Sequence, residues 1–217
     1  MSTADESASG NGVVLTLPDG SIRKFDGAVS GAELAADIGP GLAKAAIAIV
    51  VDGEVRDLTR KIKNNSEVSI VTRKDERALE IIRHDTAHVM AQAVQQLYPE
   101  TQVTIGPSIE DGFYYDFARE KAFTPEDLEK IEDRMMAIID ADEPFVREVW
   151  DRDEAIKTFA NMGEKYKAEL IEGLPIDEDV SVYRQGDWFD LCRGPHLPST
   201  GHVGKGFKLL KLAGAYW

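Results

Sequence analysis

With one cysteine in 217 residues, Cys192, the chain has no internal disulfide available and fits a reducing cytoplasm. Positive charge is also short: 25 Lys and Arg stand against 39 Asp and Glu, a formal net charge of −14. Phosphate affinity comes mainly from Lys and Arg, so the charge argues against autonomous, non-specific binding to nucleic acid, and any RNA contact must be local or assisted. No apolar run approaches the length needed to span a membrane, which argues against a membrane partner. The opening MSTADESASGNG has neither the basic nor the apolar stretch of a signal peptide, and a cytoplasmic protein is expected.

Histidine is scarce as well, yet three of the four histidines and the lone cysteine form two pairs of equal spacing, His84/His88 in HDTAH and Cys192/His196 in CRGPH. The first pair lies i, i+4 in a helix-like stretch, so both imidazoles leave one face. The second follows the aromatic run Asp187-Trp188-Phe189-Asp190 and spans Gly194-Pro195. If the pairs converge, three imidazoles and a thiol surround one small cavity. Such a set can hold zinc, and it can equally activate water without a metal.

A hydrophobic content of 43% supplies real cores for one or two domains. Residues 1–12 are expected to be a disordered tail. A hairpin follows, Val13 to Leu17 and Ser21 to Phe25 about the turn Pro18-Asp19-Gly20. Ser30 and Glu33 have capping-box spacing, and Gly39-Pro40 stops the helix that they begin. Further strands are expected over 47–51, 54–58 and 67–72, giving a small sheet with one helix across it. From residue 74 a long helical pattern sets Leu79, Ile82, Ala87, Met90, Val94 and Leu97 on one apolar face, with Pro99 limiting it. Gly112 to Phe117 reads as one strand, and Thr124 with Pro125 opens an acidic helix running to about residue 140. A strand at 145–150, helices near 153–160 and 165–171, and strands at 181–185 and 207–212 complete an α+β pattern. Two basic clusters, Arg56, Arg60, Lys61 and Lys63, and Lys205, Lys208 and Lys211, read as solvated edges.

The first module followed by RHDTAH, IGPSIEDGFYYDF, GEKYKAEL, DLCRGPHLPSTG and FKLLKLAGAYW resembles the amino-terminal part of bacterial-type threonyl-tRNA synthetases. The resemblance runs from about Val13 to Trp217. It implies a ubiquitin-like β-grasp (TGS) domain over 13–73 and an aminoacyl-tRNA editing domain over 74–217. It also implies that the aminoacylation core, with its ATP, magnesium and zinc, lies outside this chain, so that the remainder of a synthetase is a partner. The implied reaction is hydrolysis of seryl-tRNA(Thr), bound by its acceptor end. Serine is threonine without a methyl, and one methylene-sized difference gives only about 1–3 kcal/mol of discrimination, so a second sieve is needed.

Residue by residue, the resemblance carries His84, His88, Cys192 and His196 onto the editing motifs, with Asp190 as the acid of the D-x-C segment, Tyr115 as the second tyrosine of GFYYD, and Lys167 as the lysine of the YK segment. His84 and Lys167 are expected to be catalytic, orienting or deprotonating water and stabilising the oxyanion. His88, Asp190, Cys192 and His196 would bind the amino acid, Tyr115 would wall it, and Gly106-Pro107 would let backbone approach the terminal ribose. By its local sequence alone Lys167 reads as a surface lysine.

Two alternatives stay beside this one. Alanyl-type editing domains use the same HxxxH and CxxxH pairs as zinc ligands, whereas the threonyl resemblance implies no metal in this pocket. TGS modules also occur in GTPases and stringent-response enzymes as binding modules for RNA or partner proteins.

Overall fold

The computed structural model describes residues 12–214, and the tail expected before Gly12 lies outside them. The chain divides into two compact units, Met1–Asp75 and Glu76–Trp217. The first contains strands β1 (Val13–Thr16), β2 (Ile22–Phe25) and β3 (Val29–Ser30), helices α1 (Gly31–Ile38) and α2 (Pro40–Ala45), and strands β4 (Ala46–Val51), β5 (Glu54–Asp57), β6 (Lys61–Ile62) and β7 (Ser66–Thr72). Its main sheet has the order β2-β1-β7-β4-β5, with β1 and β7 parallel at the centre. That is the β-grasp arrangement, and Leu34 of α1 packs with Leu15, Ile49 and Val51 from the sheet in one core. The short β3–β6 pair and α2 carry too few residues to leave a period in the sequence.

The capping box forms as its spacing predicts: Glu33 N–H donates to Ser30 Oγ (3.3 Å) and Ser30 N–H donates to Glu33 Oε2 (2.6 Å). The Lys61 ammonium, and after it the Ser30 backbone N–H, hold the Glu33 carboxyl down to about 2. The unfolded carboxyl titrates near 4.5, so this contribution is fully present above that pH and is lost as pH falls through 2. Glutamine keeps the capping box and removes the charge. Glu33→Gln should therefore lower the stability of the first unit at pH 7, by less than about 1 kcal/mol because solvent screens the pair. The deficit should vanish near pH 2. Thermal unfolding followed by circular dichroism at both pH values checks this, and fluorescence should not report it, since Trp150, Trp188 and Trp217 all lie in the second unit.

The second unit begins with α3 (Ala78–Leu97) and continues through β8 (Gln102–Val103), β9 (Ser108–Ile109), β10 (Gly112–Phe113), β11 (Phe117–Ala118), α4 (Pro125–Ala141), β12 (Phe145–Trp150), α5 (Arg152–Asn161), α6 (Lys165–Glu172), β13 (Val180–Gln185) and β14 (Trp188–Leu191). A 3-10 turn, Thr200–Val203, closes it. Thr124 caps α4 with Asp127 as its capping-box partner. Strands β12, β13 and β14 form an antiparallel sheet in that order. Side chains alternate across it. Val180, Val182, Phe189 and Leu191 face one way and pack with Phe159 of α5 and Ile171 of α6. Tyr183, Gln185, Trp188 and Asp190 face the other way, paired as Tyr183↔Asp190 and Gln185↔Trp188.

Three expectations need correction. Helix α3 is not a one-faced amphipathic helix: it is buried on every side from Asp85 to Val94, whereas Leu79 and Leu97 are exposed. A helix enclosed all round shows no stripe, because every direction faces protein. The segment read as one strand from Gly112 to Phe117 is two, β10 pairing with β9 and β11 with β8, and Tyr115 between them turns inward. Residues 207–212 form no strand. Lys205 and Lys208 pair with Asp140 and Glu132 of α4, and the Leu209 N–H donates to Glu132 (2.6 Å), so side chains hold this extended segment where a ladder was expected. The same ion pairs, with Arg56–Glu54 and Lys61–Glu33 in the first unit, neutralise much of both basic clusters.

Candidate active site

The buried middle of α3 presents His84 and His88 toward the loop that follows β14. Continuing the β14 alternation by two residues past Asp190 puts Cys192 on the same side of the sheet. Its N–H is held by the Ser181 carbonyl of β13 (3.1 Å). The Gly194-Pro195 turn then returns His196 to its sulfur. Gly194 sits at φ +74, and a Cβ there would lie 2.2 Å from the Tyr183 hydroxyl, so only glycine lets this turn close against the sheet.

The His84/His88 and Cys192/His196 pairs converge on one point. Cys192 Sγ lies 3.1 Å from His84 Nε2 and 3.3 Å from His196 Nε2, and the Gly194 N–H donates to it at 3.3 Å. Ring centroids of His88 stand 4.8 Å from His84 and 4.5 Å from His196. Burial disfavours ionisation of the Cys192 thiol, but the facing His196, His88 and His84 outweigh it and hold the group well below its ordinary range. Burial pushes His88 down, while His196 is raised well above the ordinary range because Asp85 and Cys192 overcome its burial.

Beside this cluster stands a second one. Lys167 Nζ lies 2.7 Å from Asp190 Oδ1 and donates to the Tyr115 hydroxyl at 3.1 Å, and that hydroxyl donates to Asp190 Oδ2 at 2.6 Å. Lys167 is only 3% exposed, contrary to its reading as a surface lysine. Its helix hides it: Glu164, just before α6, accepts from the Val103 N–H (3.0 Å) and from Gln95, which pins the helix start against β8 and α3. Burial raises the Glu164 carboxyl, and burial followed by the Asp190 charge raises the Tyr115 phenol well above its usual value.

Gly106 underlies Tyr115, for a Cβ there would lie 2.1 Å from the ring. Gly106→Ala should destabilise the second unit by about 1–3 kcal/mol through overpacking and pull Tyr115 off Asp190. Gly112→Ala is the control, since nothing lies within 4 Å of its Cβ position. Urea midpoints read by tryptophan fluorescence check the difference. Pro107 follows in the same loop, its carbonyl 3.5 Å from the Tyr114 nitrogen.

Sequence reasoning missed Asp85, Glu164 and Tyr183. Asp85 carried one signal, a charged residue inside HDTAH on a helix otherwise buried around it, which is readable only once that burial is known. A cleft of about 400 Å³ lined by Phe117, Arg119, Lys121 and Phe123 contains none of these residues.

The ligand atoms of His84, His88, Cys192 and His196 all lie within 4.8 Å of one another. Tetrahedral zinc with N and S donors places them roughly 3.3–3.8 Å apart. Among the described residues His88 Nδ1 is buried without a hydrogen-bond partner. The chemistry of the donor set, three imidazoles and a thiol converging on one point, fits a zinc ion, although separations of up to 4.8 Å are wider than a bound ion would leave them.

Residues 13–72 match the TGS domain family, and residues 180–214 match the family described as the threonyl and alanyl tRNA synthetase second additional domain. The chain thus joins a TGS domain to the second additional domain of these synthetases, which defines its class. Over 94% of its length it is similar to particular enzymes, the threonine--tRNA ligases: 66% identical over 205 residues to that of Rhodospirillum rubrum, 64% over 203 to that of Gluconobacter oxydans and 65% over 203 to that of Maricaulis maris. The chain spans 32% of the length of each of these relatives.

Proposed function

We propose that the second unit hydrolyses the ester of seryl-tRNA(Thr), releasing serine and tRNA(Thr). The observation that carries this reading is the placement of a buried lysine–carboxylate–phenol cluster beside a thiol ringed by three imidazoles, with Asp190 and Cys192 two residues apart on one side of the sheet. His84, the least buried of the three imidazoles, orients or deprotonates water for attack on the ester carbonyl. The Lys167 ammonium stabilises the oxyanion that forms. The new C–O bond comes from water, the bond to the ribose oxygen breaks, and a proton passes to that oxygen. Asp190, Cys192, His88 and His196 bind the amino acid and its ammonium, Tyr115 walls its side chain, and the Gly106-Pro107 backbone meets the terminal ribose. The partners are the acceptor end of tRNA(Thr) and the remainder of a synthetase. Location in the cytoplasm accords with this reading, and no helix among the described residues is long and apolar enough to cross a membrane.

In this reading the pocket works without a metal. The four convergent N and S donors favour a second reading, in which His84, His88, Cys192 and His196 hold zinc as an alanyl-type deacylase would. Zinc there would act as a Lewis acid toward water or the carbonyl. Elemental analysis with deacylation of purified seryl-tRNA(Thr) before and after chelation decides between them. We expect hydrolysis at an unchanged rate after chelation. Loss of activity on chelation, restored by stoichiometric zinc, would replace the first reading by the second, and no hydrolysis in either state would end both.

A further inference from the structure

Gln95 lies on the face of α3 that carries His84 and His88, about two turns beyond the second of them. Every polar atom of its side chain is engaged. Oε1 accepts from the Trp188 indole N–H (2.7 Å), and Nε2 donates to the Thr101 carbonyl (3.1 Å) and to the Glu164 carboxylate. An indole N–H only donates and a carbonyl only accepts, so the amide has one orientation. Glu164, 5% exposed, is as constrained, for its other oxygen accepts from the Val103 N–H at 3.0 Å. Its side chain makes no cap bond to α6, the helix that it precedes, and reaches across to α3 and β8 instead. Lys167 follows in the first turn of α6. Trp188 stands edge-on to His88, with centroids 6.0 Å apart, and opens the strand that carries Asp190. One amide thus ties α3, α6 and β14 beside the residues that supply the imidazoles, the ammonium and its carboxylate.

We infer that Gln95 and Glu164 are positioning residues: the bond between them sets where the Lys167 ammonium stands relative to the imidazole face of α3. The kinetic consequence rests on the ester-hydrolase reading above, whereas the placement of Lys167 does not. Exchanging carboxylate for amide tests the bond with almost no change of shape. In Glu164→Gln the Val103 N–H keeps the remaining oxygen, and the new NH2 meets the NH2 of Gln95, donor against donor. Gln95 cannot turn over to relieve this, because its NH2 would then face the Trp188 N–H. In the exchanged pair Glu164→Gln/Gln95→Glu the new amide donates to the new carboxylate, whose second oxygen still accepts from Trp188. Only the contact with the Thr101 carbonyl is lost. A reacting group displaced by about an ångström can cost on the order of 100-fold in rate.

The test uses the whole chain. Brief acetylation by an amine-reactive ester, read by peptide mass spectrometry, should modify exposed Lys165 and spare Lys167 in the native protein. In Glu164→Gln the ratio of Lys167 to Lys165 modification should rise at least roughly fivefold. The single-turnover rate of seryl-tRNA(Thr) hydrolysis at saturating protein should fall at least roughly tenfold, while the half-saturating concentration changes less than about threefold, and the exchanged pair should recover most of the loss. In a Lys167→Met/Asp190→Asn background, which has no ammonium to place, Glu164→Gln should add less than about twofold, a result that a purely structural role would not give. In the native protein the Gln95 NH2 protons, identified by their loss in Gln95→Met, should exchange with solvent at least roughly tenfold more slowly than those of exposed Gln96. Equal exchange overturns the inference even if no variant folds. So does an unchanged Lys167 modification or an unchanged rate in folded Glu164→Gln, or its full penalty in the background without Lys167. Failure of the native chain to hydrolyse seryl-tRNA(Thr) is a different outcome: it removes the ester-hydrolase reading, and the acetylation still decides whether the bond places Lys167.

Discussion

Lys167→Ala is expected to lower the melting temperature of the second unit by roughly 10 °C or more, and to reduce seryl-tRNA(Thr) hydrolysis about 100-fold or more at temperatures where it stays folded. The stability loss follows from burial. Asp190 is 1% exposed, and removing its ammonium partner leaves an uncompensated charge next to the Tyr115 hydroxyl, a change that costs about 3–5 kcal/mol. The rate loss follows from the absent charge on the oxyanion. The two effects separate in the double variant Lys167→Met/Asp190→Asn, which has no buried charge. It should regain most of the melting temperature and none of the hydrolysis, because a neutral pair of similar volume packs as well but stabilises no oxyanion. Wild-type turnover by the double variant would remove Lys167 from the chemistry and leave it as half of a structural ion pair.

The second large effect is selectivity. At saturating protein the chain should hydrolyse seryl-tRNA(Thr) at least about tenfold faster than threonyl-tRNA(Thr), within the range of about 10–200-fold that one methyl provides. In the proposed reaction the water, the ester carbonyl and the His84 ring must align closely, and the side chains proposed as walls are buried and held: Tyr115 by Gly106 and Asp190, His196 by Phe145 and Asp85. A threonine methyl must then press on a wall or occupy the place of the water. Measuring binding and single-turnover rate for both esters tells these apart. Weak binding of threonyl-tRNA(Thr) indicates a clash, and tight binding with slow hydrolysis indicates displaced water. Equal rates for the two esters would sink the second-sieve reading.

Local chemistry in the sequence was enough to predict much of what is seen. Ser30 and Glu33 marked α1, Thr124 and Pro125 marked α4, and the alternation over 145–150 gave β12 to the residue. Capping and strand alternation involve neighbours a few residues apart, so they leave a mark at short range. The strand β14 was hidden because Trp188 to Leu191 is short and aromatic on both faces, and only its pairing with β13 defines it. Residues 207–212 alternated like a strand, yet pairing needs a free neighbouring edge, which no local pattern supplies.

The sequence by itself determined the donor set of the site: two pairs at i, i+4 spacing, built from nearly all the histidine and all the cysteine in the chain, state their chemistry wherever they are placed. The resemblance of its motifs added Tyr115, Lys167 and Asp190. Tertiary structure alone decided the charges. Lys167 became a buried cation because Glu164 and Gln95 draw the start of α6 inward, and Asp85 became the partner of His196 because α3 is enclosed on all sides. Protonation depends on desolvation and on charges within a few ångströms, and those neighbours can lie 108 residues apart along the chain, as His84 and Cys192 do, where no sequence period can register them.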